Sequence, residues 1–136
     1  MWYAPSVKTG AELFKALADD TRLRILRCLA GCEACRCRDV CVCELCDCLG
    51  VKSSTLSSHL NVLRQAGLVT VRKEGTWVYY RLAKGLPEFV LEAIGAISAQ
   101  QTDLKRLRSR LRLRVDGRCC VPLGALQKNT GGKKND

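Results

Sequence analysis

The sequence predicts a mainly α fold with a β-hairpin wing, on three observations. Two amphipathic runs, Asp39 to about Cys48 and Ser53 or Ser54 to Gly67, are separated by only a few residues, and helices joined so tightly form a helix-turn-helix. Val69 to Glu74 and Thr76 to Leu82 are β-prone, rich in Val, Trp and Tyr, and flank Gly75 as a hairpin would. From Pro87 an apolar stripe of Val90, Ile94, Ile97, Leu104, Leu107 and Leu111 is broken only by Gln101. A small domain cannot cover so long a stripe, and an uncovered stripe packs on its own copy. The expectation is therefore a winged helix-turn-helix that forms a homodimer through its terminal helices.

The elements follow in order. After an N-terminal arm at 1–10, Leu13, Ala16 and Leu17 mark a short helix, and Ala18-Asp19-Asp20-Thr21 offers cap chemistry for the next. That second helix, Asp20 to about Leu29, turns Leu23, Ile25 and Leu26 inward and Arg22, Arg24 and Arg27 largely outward, and Gly31 is expected to break it. Gly31 to Arg38 reads as a loop dense in thiols, with Asp39 capping the helix that Gly50 ends. Leu56, Leu60 and Leu63 recur at i, i+4 and i+7 in the reading helix, closed by Gly67. One domain spans 11–118, and 119–136 is a Cys-Cys segment with a flexible tail ending in GGKKND.

A chain of 136 residues holds one core that needs no disulfide staples. Its 23 Lys and Arg against 13 Asp and Glu, a formal charge of +10, favour a polyanion through counterion release. A membrane surface would attract the same charge. No stretch approaches the roughly 18 apolar residues of a spanning helix, and the first ten residues have no signal-peptide core, so a cytoplasmic protein is expected. In that reducing compartment ten cysteines read as metal ligands, reactive thiols or core residues rather than disulfides.

Double-stranded operator DNA is the expected partner. Ser53, Ser54, Thr55, Ser57, Ser58 and His59 give the second helix of the pair a polar outer face for the major groove. Arg64, with Arg72 and Lys73 near the hairpin tip, suits phosphates, and the arginines of the second helix widen the basic surface. The plain alternative is a solvated serine face, with His59 as an ordinary surface or capping residue. The run Lys105, Arg106, Arg108, Arg110, Arg112 and Arg114 reads as the solvated side of the dimer helix.

Cys41, Cys43 and Cys46 lie on the first helix of the pair as CVCELC. On a regular helix Cys43 and Cys46 share a side but Cys41 and Cys43 do not, so all three meet only if the helix start unwinds. A ligand that requires three thiolates would thus distort the element packed on the reading helix. Sulfur-only sites favour soft or borderline ions, arsenite suiting three sulfurs while cadmium, lead and zinc often take more. The alternative is that these cysteines fill the core. Cys32, Cys35 and Cys37, with Cys48 nearby, are auxiliary metal candidates or merely reactive thiols, Cys28 reads as core, and Cys119 and Cys120 are a further auxiliary pair.

LADDTRLRILRCL, CVCELC and SSTLSSHLNVLRQAGLVTVRKEGTWVYYRL together resemble the ArsR/SmtB family of metal-sensing repressors, over about Ala11 to Pro87. The resemblance implies a repressor of resistance genes that is active without metal. It also implies Cys41, Cys43 and Cys46 as three sulfur ligands for As(III) or Sb(III) as inducer. The terminal helix has no histidine, so the zinc site that some relatives carry there cannot be built. Cys32, Cys35, Cys37, Cys48 and the terminal pair lie outside the arsenite pattern and leave room for a Cd(II) or Pb(II) site. Ser58 stands where similar arsenical repressors often have a basic residue, so the operator sequence does not carry over.

Three rivals remain at this level. A thiol-redox repressor would use the same cysteines without metal. A metallothionein-like protein would explain the thiols but not the helix pair and wing. An enzyme would need an activated nucleophile, and the sequence has only one histidine to activate one.

Overall fold

The computed structural model describes residues 10–34, 39–96 and 101–114. Its elements run α1 (Gly10–Leu17), α2 (Asp20–Ala34), β1 (Val40–Cys41), α3 (Val42–Leu49), α4 (Ser53–Gln65), β2 (Val69–Glu74), β3 (Trp77–Leu82), α5 (Glu88–Ala96) and α6 (Gln101–Leu111). The mainly α winged helix-turn-helix expected from the sequence is what forms.

Local signals account for most boundaries. The Asp19 carboxylate accepts the Arg22 N–H at 3.0 Å and starts α2, satisfying a donor that has no partner within the helix. Gly50, with φ of 71°, ends α3 and donates its N–H to the Cys46 carbonyl. Only residues 50–52 then separate α3 from α4. The N-cap of α4 is Lys52 rather than Ser53 or Ser54, whose serines fall in the first turn.

β2 and β3 pair antiparallel from Val69 opposite Leu82 to Glu74 opposite Trp77, leaving Gly75 and Thr76 as the turn. Gly75 has φ of 63°, a conformation that favours glycine. A third strand, β1, pairs Val40 with Tyr80 and Cys41 with Tyr79, giving the order β1-β3-β2. A strand of two residues carries no period, so β1 is not legible from local pattern.

The core gathers Leu13, Ile25, Leu26 and Leu29 with Leu45, Leu56, Leu60 and Leu63 and the α5 residues Val90 and Ile94. Two expectations fail here. Gly31 does not break α2, which continues to Ala34 and places Cys32 in helix rather than in a loop. A Cβ at Gly31 would lie 2.8 Å from Leu104 Cδ2, so this glycine serves the close approach of α6.

The terminal stripe also behaves differently. The described helices are α5 up to Ala96 and α6 from Gln101, and Ile97 falls outside the described residues. α6 packs on α3 and α2 of its own chain, burying Leu107 and bringing Leu104 and Leu111 against the core. The stripe is thus covered largely from within. What α1 and α5 leave exposed is different: Phe14 and Phe89, whose rings are 5.6 Å apart, and Leu91.

Candidate nucleic-acid interface and thiol site

On α4, Ser53, Ser54, Thr55, Ser57 and Ser58 are exposed while Leu56, Leu60 and Leu63 are buried, so the polar face predicted for groove reading does look outward. His59 sits at the edge of that face. Its Nδ1 is 3.3 Å from Arg22 Nη1 and 3.7 Å from Asp19 Oδ2. An arginine N–H donating to Nδ1 leaves the proton of a neutral ring on Nε2. His59 therefore helps fasten α4 to the start of α2.

The cations divide in the same way. Lys73 is exposed on β2, and Arg64 donates to Asn61 Oδ1 at 3.1 Å on the α4 surface. Arg72 is engaged instead: it reaches Asp39 at 2.8 Å and Glu74 at 3.1 Å, and its guanidinium lies 4.8 Å from the Tyr79 ring centre. The hydrogen bond to Asp39 raises its pKa above the ordinary arginine value. Arg22 and Arg24, expected to widen a basic surface, are also structural. Arg22 caps α1 through the carbonyls of Ala16 and Lys15, and Arg24 makes two 2.8 Å bonds to Asp103 and one to the Leu49 carbonyl.

The thiols divide between two neighbourhoods. Cys41 is not on the helix: with φ −88° and ψ 167° it is the N-cap of α3 and the end of β1, and Asp39 does not hold the cap position. The buried Cys41 packs on Tyr79 of the wing, with Cys43 and Trp77 alongside. Cys46, one turn into α3, belongs to the main core, and Ser53 at the start of α4 is near enough to lower its pKa.

Burial pushes the Cys46 thiol up to about 11, with Cys43 and Asp47 adding to the rise and Ser53 opposing it. Among the described residues no group of three or more His, Cys, Asp or Glu side chains stands ready for a metal ion. The donor set has the right chemistry for a soft ligand, and its geometry would have to change to meet around one. Cys35, Cys37, Cys119 and Cys120 lie outside the described residues, as does the side chain of Cys32.

Sequence reasoning missed the buried ionic seam between α3 and α6. Glu44 accepts the Cys41 N–H at 3.0 Å, as the third residue of a capping box does, and also two 2.7 Å bonds from Arg114. Asp47 Oδ2 takes the Nε of Arg110 at 2.6 Å, and both residues are buried. Arg106 donates to the Asp47 carbonyl and Arg114 to that of Asp39. The arginines read as a solvated face are therefore split. Arg106, Arg110 and Arg114 grip the thiol-bearing helix, while Lys105, Arg108 and Arg112 are exposed.

Comparison with known proteins decides the family. The model of bacterial regulatory proteins of the arsR family matches residues 19–71, the span from the N-cap of α2 to β2. The arsenical resistance operon repressor of Escherichia coli K12 is 41% identical over 61% of this chain and 67% of its own. The chain belongs to the ArsR family. The arsenic resistance transcriptional regulator ArsR2 of Pseudomonas putida KT2440 is 35% identical over 82% of this chain and 98% of its own length. Among solved structures, reduced HlyU from Vibrio cholerae is similar with TM-score 0.55 at 34% identity, covering 66% of this chain and 88% of that one. The chain is thus an ArsR-family transcriptional repressor with a DNA-binding winged helix-turn-helix. No helix among the described residues is long and apolar enough to cross a membrane.

Proposed function

We propose that this ArsR-family chain is a cytoplasmic homodimer that holds an inverted-repeat operator in its thiol-free-of-ligand state and leaves it when Cys41, Cys43 and Cys46 capture trivalent arsenic or antimony. It acts as a regulator and not as an enzyme. The observation that carries this reading is the placement of the three thiols between the two DNA-facing elements. Cys41 touches Tyr79 of the wing, and Cys46 lies in the core where α3 packs on α4, near Ser53.

A ligand held by all three sulfurs has to draw these anchors toward Cys43. The capping bond from the Cys41 N–H to Glu44 lies in the path of that movement. Pulling Cys41 inward shifts β1 and β3 and so tilts the wing, while pulling Cys46 disturbs the packing of α3 on α4. Three neutral thiols suit arsenite well, because each sulfur bond to arsenic displaces a hydroxide that leaves with the thiol proton as water. A divalent cation must instead expel protons, which burial of Cys46 disfavours.

Exposed Ser54, Thr55, Ser57 and Ser58 would meet base edges, with Ser53 at the helix start, while Lys73 and Arg64 would meet phosphates. His59 and Arg72 contribute chiefly by holding α4 and the wing in place. The exposed, adjoining Phe14 and Phe89 on the two outer helices support dimerisation there, with half-sites about one helical turn, ~34 Å, apart.

Titrating arsenite, cadmium, lead and zinc into the reduced protein on a fluorescent promoter duplex tests the reading by anisotropy. Arsenite should release the wild type, and Cys43→Ser should bind DNA normally and stay bound. Release by cadmium or lead alone would move the assignment to a site that recruits the additional cysteines. A Cys43→Ser protein that responds fully would overturn it.

A further inference from the structure

Cys28 and Cys48 were distinct expectations, one as core and the other as an auxiliary ligand, yet the fold places them together. Cys28 is on α2 and Cys48 on α3; their Sγ atoms are 4.0 Å apart, and both residues are at most 1% exposed. The Cys48 thiol also points at the Leu45 carbonyl, 3.5 Å away. Neither residue shares the pocket of Cys41 with Tyr79.

We infer that Cys28 and Cys48 form a second, two-sulfur site that takes a thiophilic d10 divalent cation of the mercuric type, bridging α2 to α3. The separation is the first support. Two sulfurs on one tetrahedral ion with bonds of ~2.3 Å stand roughly 3.8 Å apart, so the pair is already at chelating distance and needs only to spread for a linear S–metal–S unit. A disulfide would require the sulfurs to approach to ~2.05 Å, a larger displacement in a packed core.

Donor number is the second support. Among the described residues no third His, Cys, Asp or Glu completes a group here, which disfavours zinc and other ions that demand four ligands. Charge is the third. Binding replaces two S–H bonds by two S–metal bonds and releases two protons, so the divalent ion and two thiolates sum to zero. A neutral unit is the form a dry interior accepts without a counter-ion.

The two sites would act oppositely. An ion at Cys28 and Cys48 pins α2 to the last turn of α3 and stiffens the domain, whereas the three-sulfur site requires the first turn of α3 to give way. The inference does not depend on arsenic being the inducer.

The test uses a variant keeping Cys28 and Cys48, with the other eight cysteines replaced by alanine or serine. Mercuric chloride is added in the presence of excess glutathione, which strips ions held by single thiols but competes poorly with a pre-formed pair. The expected result is retention of one ion per chain, with sulfur-to-metal charge-transfer absorption and a raised Tm, all lost on adding Cys48→Val. Stripping by glutathione, or retention that survives Cys48→Val, would overturn the site. Should the eight-fold variant not fold, wild-type protein loaded with one to several equivalents is alkylated and peptide-mapped. Joint protection of Cys28 and Cys48 at equal loading supports the pair, and independent labelling refutes it.

Discussion

The two faces of α3 and α4 are built on opposite principles. The outward side of α4 has short hydroxyl side chains and a few cations, exposed and lightly tethered. The inward side, where α3 meets α6, locks two carboxylates against three arginines beside the thiol-bearing helix. A surface that must exchange water for phosphates and bases gains from staying solvated until DNA arrives. A surface that must register one ligand gains from being locked, since a change there cannot relax locally and has to move its neighbours. Glu44 shows the second principle in one residue: it caps the helix that carries Cys43 and Cys46, and its other bonds fasten α6.

Substitutions should separate the two faces cleanly, and the largest effect belongs to the buried seam. Asp47→Ala leaves the Arg110 guanidinium in the core without its carboxylate and should cost about 3–5 kcal/mol in urea unfolding. Next, Glu44→Gln weakens both the cap and the Arg114 contact and should cost about 1–2 kcal/mol. Because it loosens the start of α3, the same variant should release DNA at lower arsenite. An unchanged arsenite midpoint would show that the seam and the sensor are independent.

The outer face should respond in the other currency. Lys73→Ala should leave stability within about 0.5 kcal/mol but lower the salt slope of operator binding by about one unit. Arg72→Ala, by contrast, should lower stability because Asp39 and Glu74 each lose an ion pair and Tyr79 loses a guanidinium neighbour. If Lys73→Ala and Arg72→Ala behaved alike, the division of the wing cations would be wrong.

The smallest effect is in pH. The Cys46 thiol rises from 9.0 to about 11, so the folded state holds a proton that the unfolded chain releases first. Its contribution is complete below pH 9 and disappears as pH climbs toward 11. Cys46→Ala should flatten that part of the stability profile, measured by urea unfolding.

What could be read from the sequence follows the range of the interactions. The helix pair, the hairpin and the polar face of α4 rest on local spacing and turn chemistry, and each formed as expected. β1 depends on Tyr79 and Tyr80, the role of Gly31 on Leu104, and the seam on contacts between residues 39–47 and 106–114, none of which a local period displays. Yet one signal was present in the arginine run. Arg106, Arg110 and Arg114 recur every four residues, in step with Asp103, Leu107 and Leu111, so they lie along the packed side of α6. Arg108 and Arg112 fall on the far side. Reading the run as one charged surface hid that division, and with it the reason the terminal stripe needed no second chain to cover much of it.

Reciprocal linkage offers the most direct test of the claim that thiol capture and DNA reading are mechanically joined. The dissociation constant of arsenite is measured by calorimetry for the reduced protein alone and saturated with operator duplex. If the thiols pull on Ser53 and Tyr79 as the structure arranges them, operator must weaken arsenite binding by the same factor by which arsenite weakens operator binding, about tenfold or more. Equal arsenite affinity in both forms would mean that the three cysteines and the reading helix do not communicate.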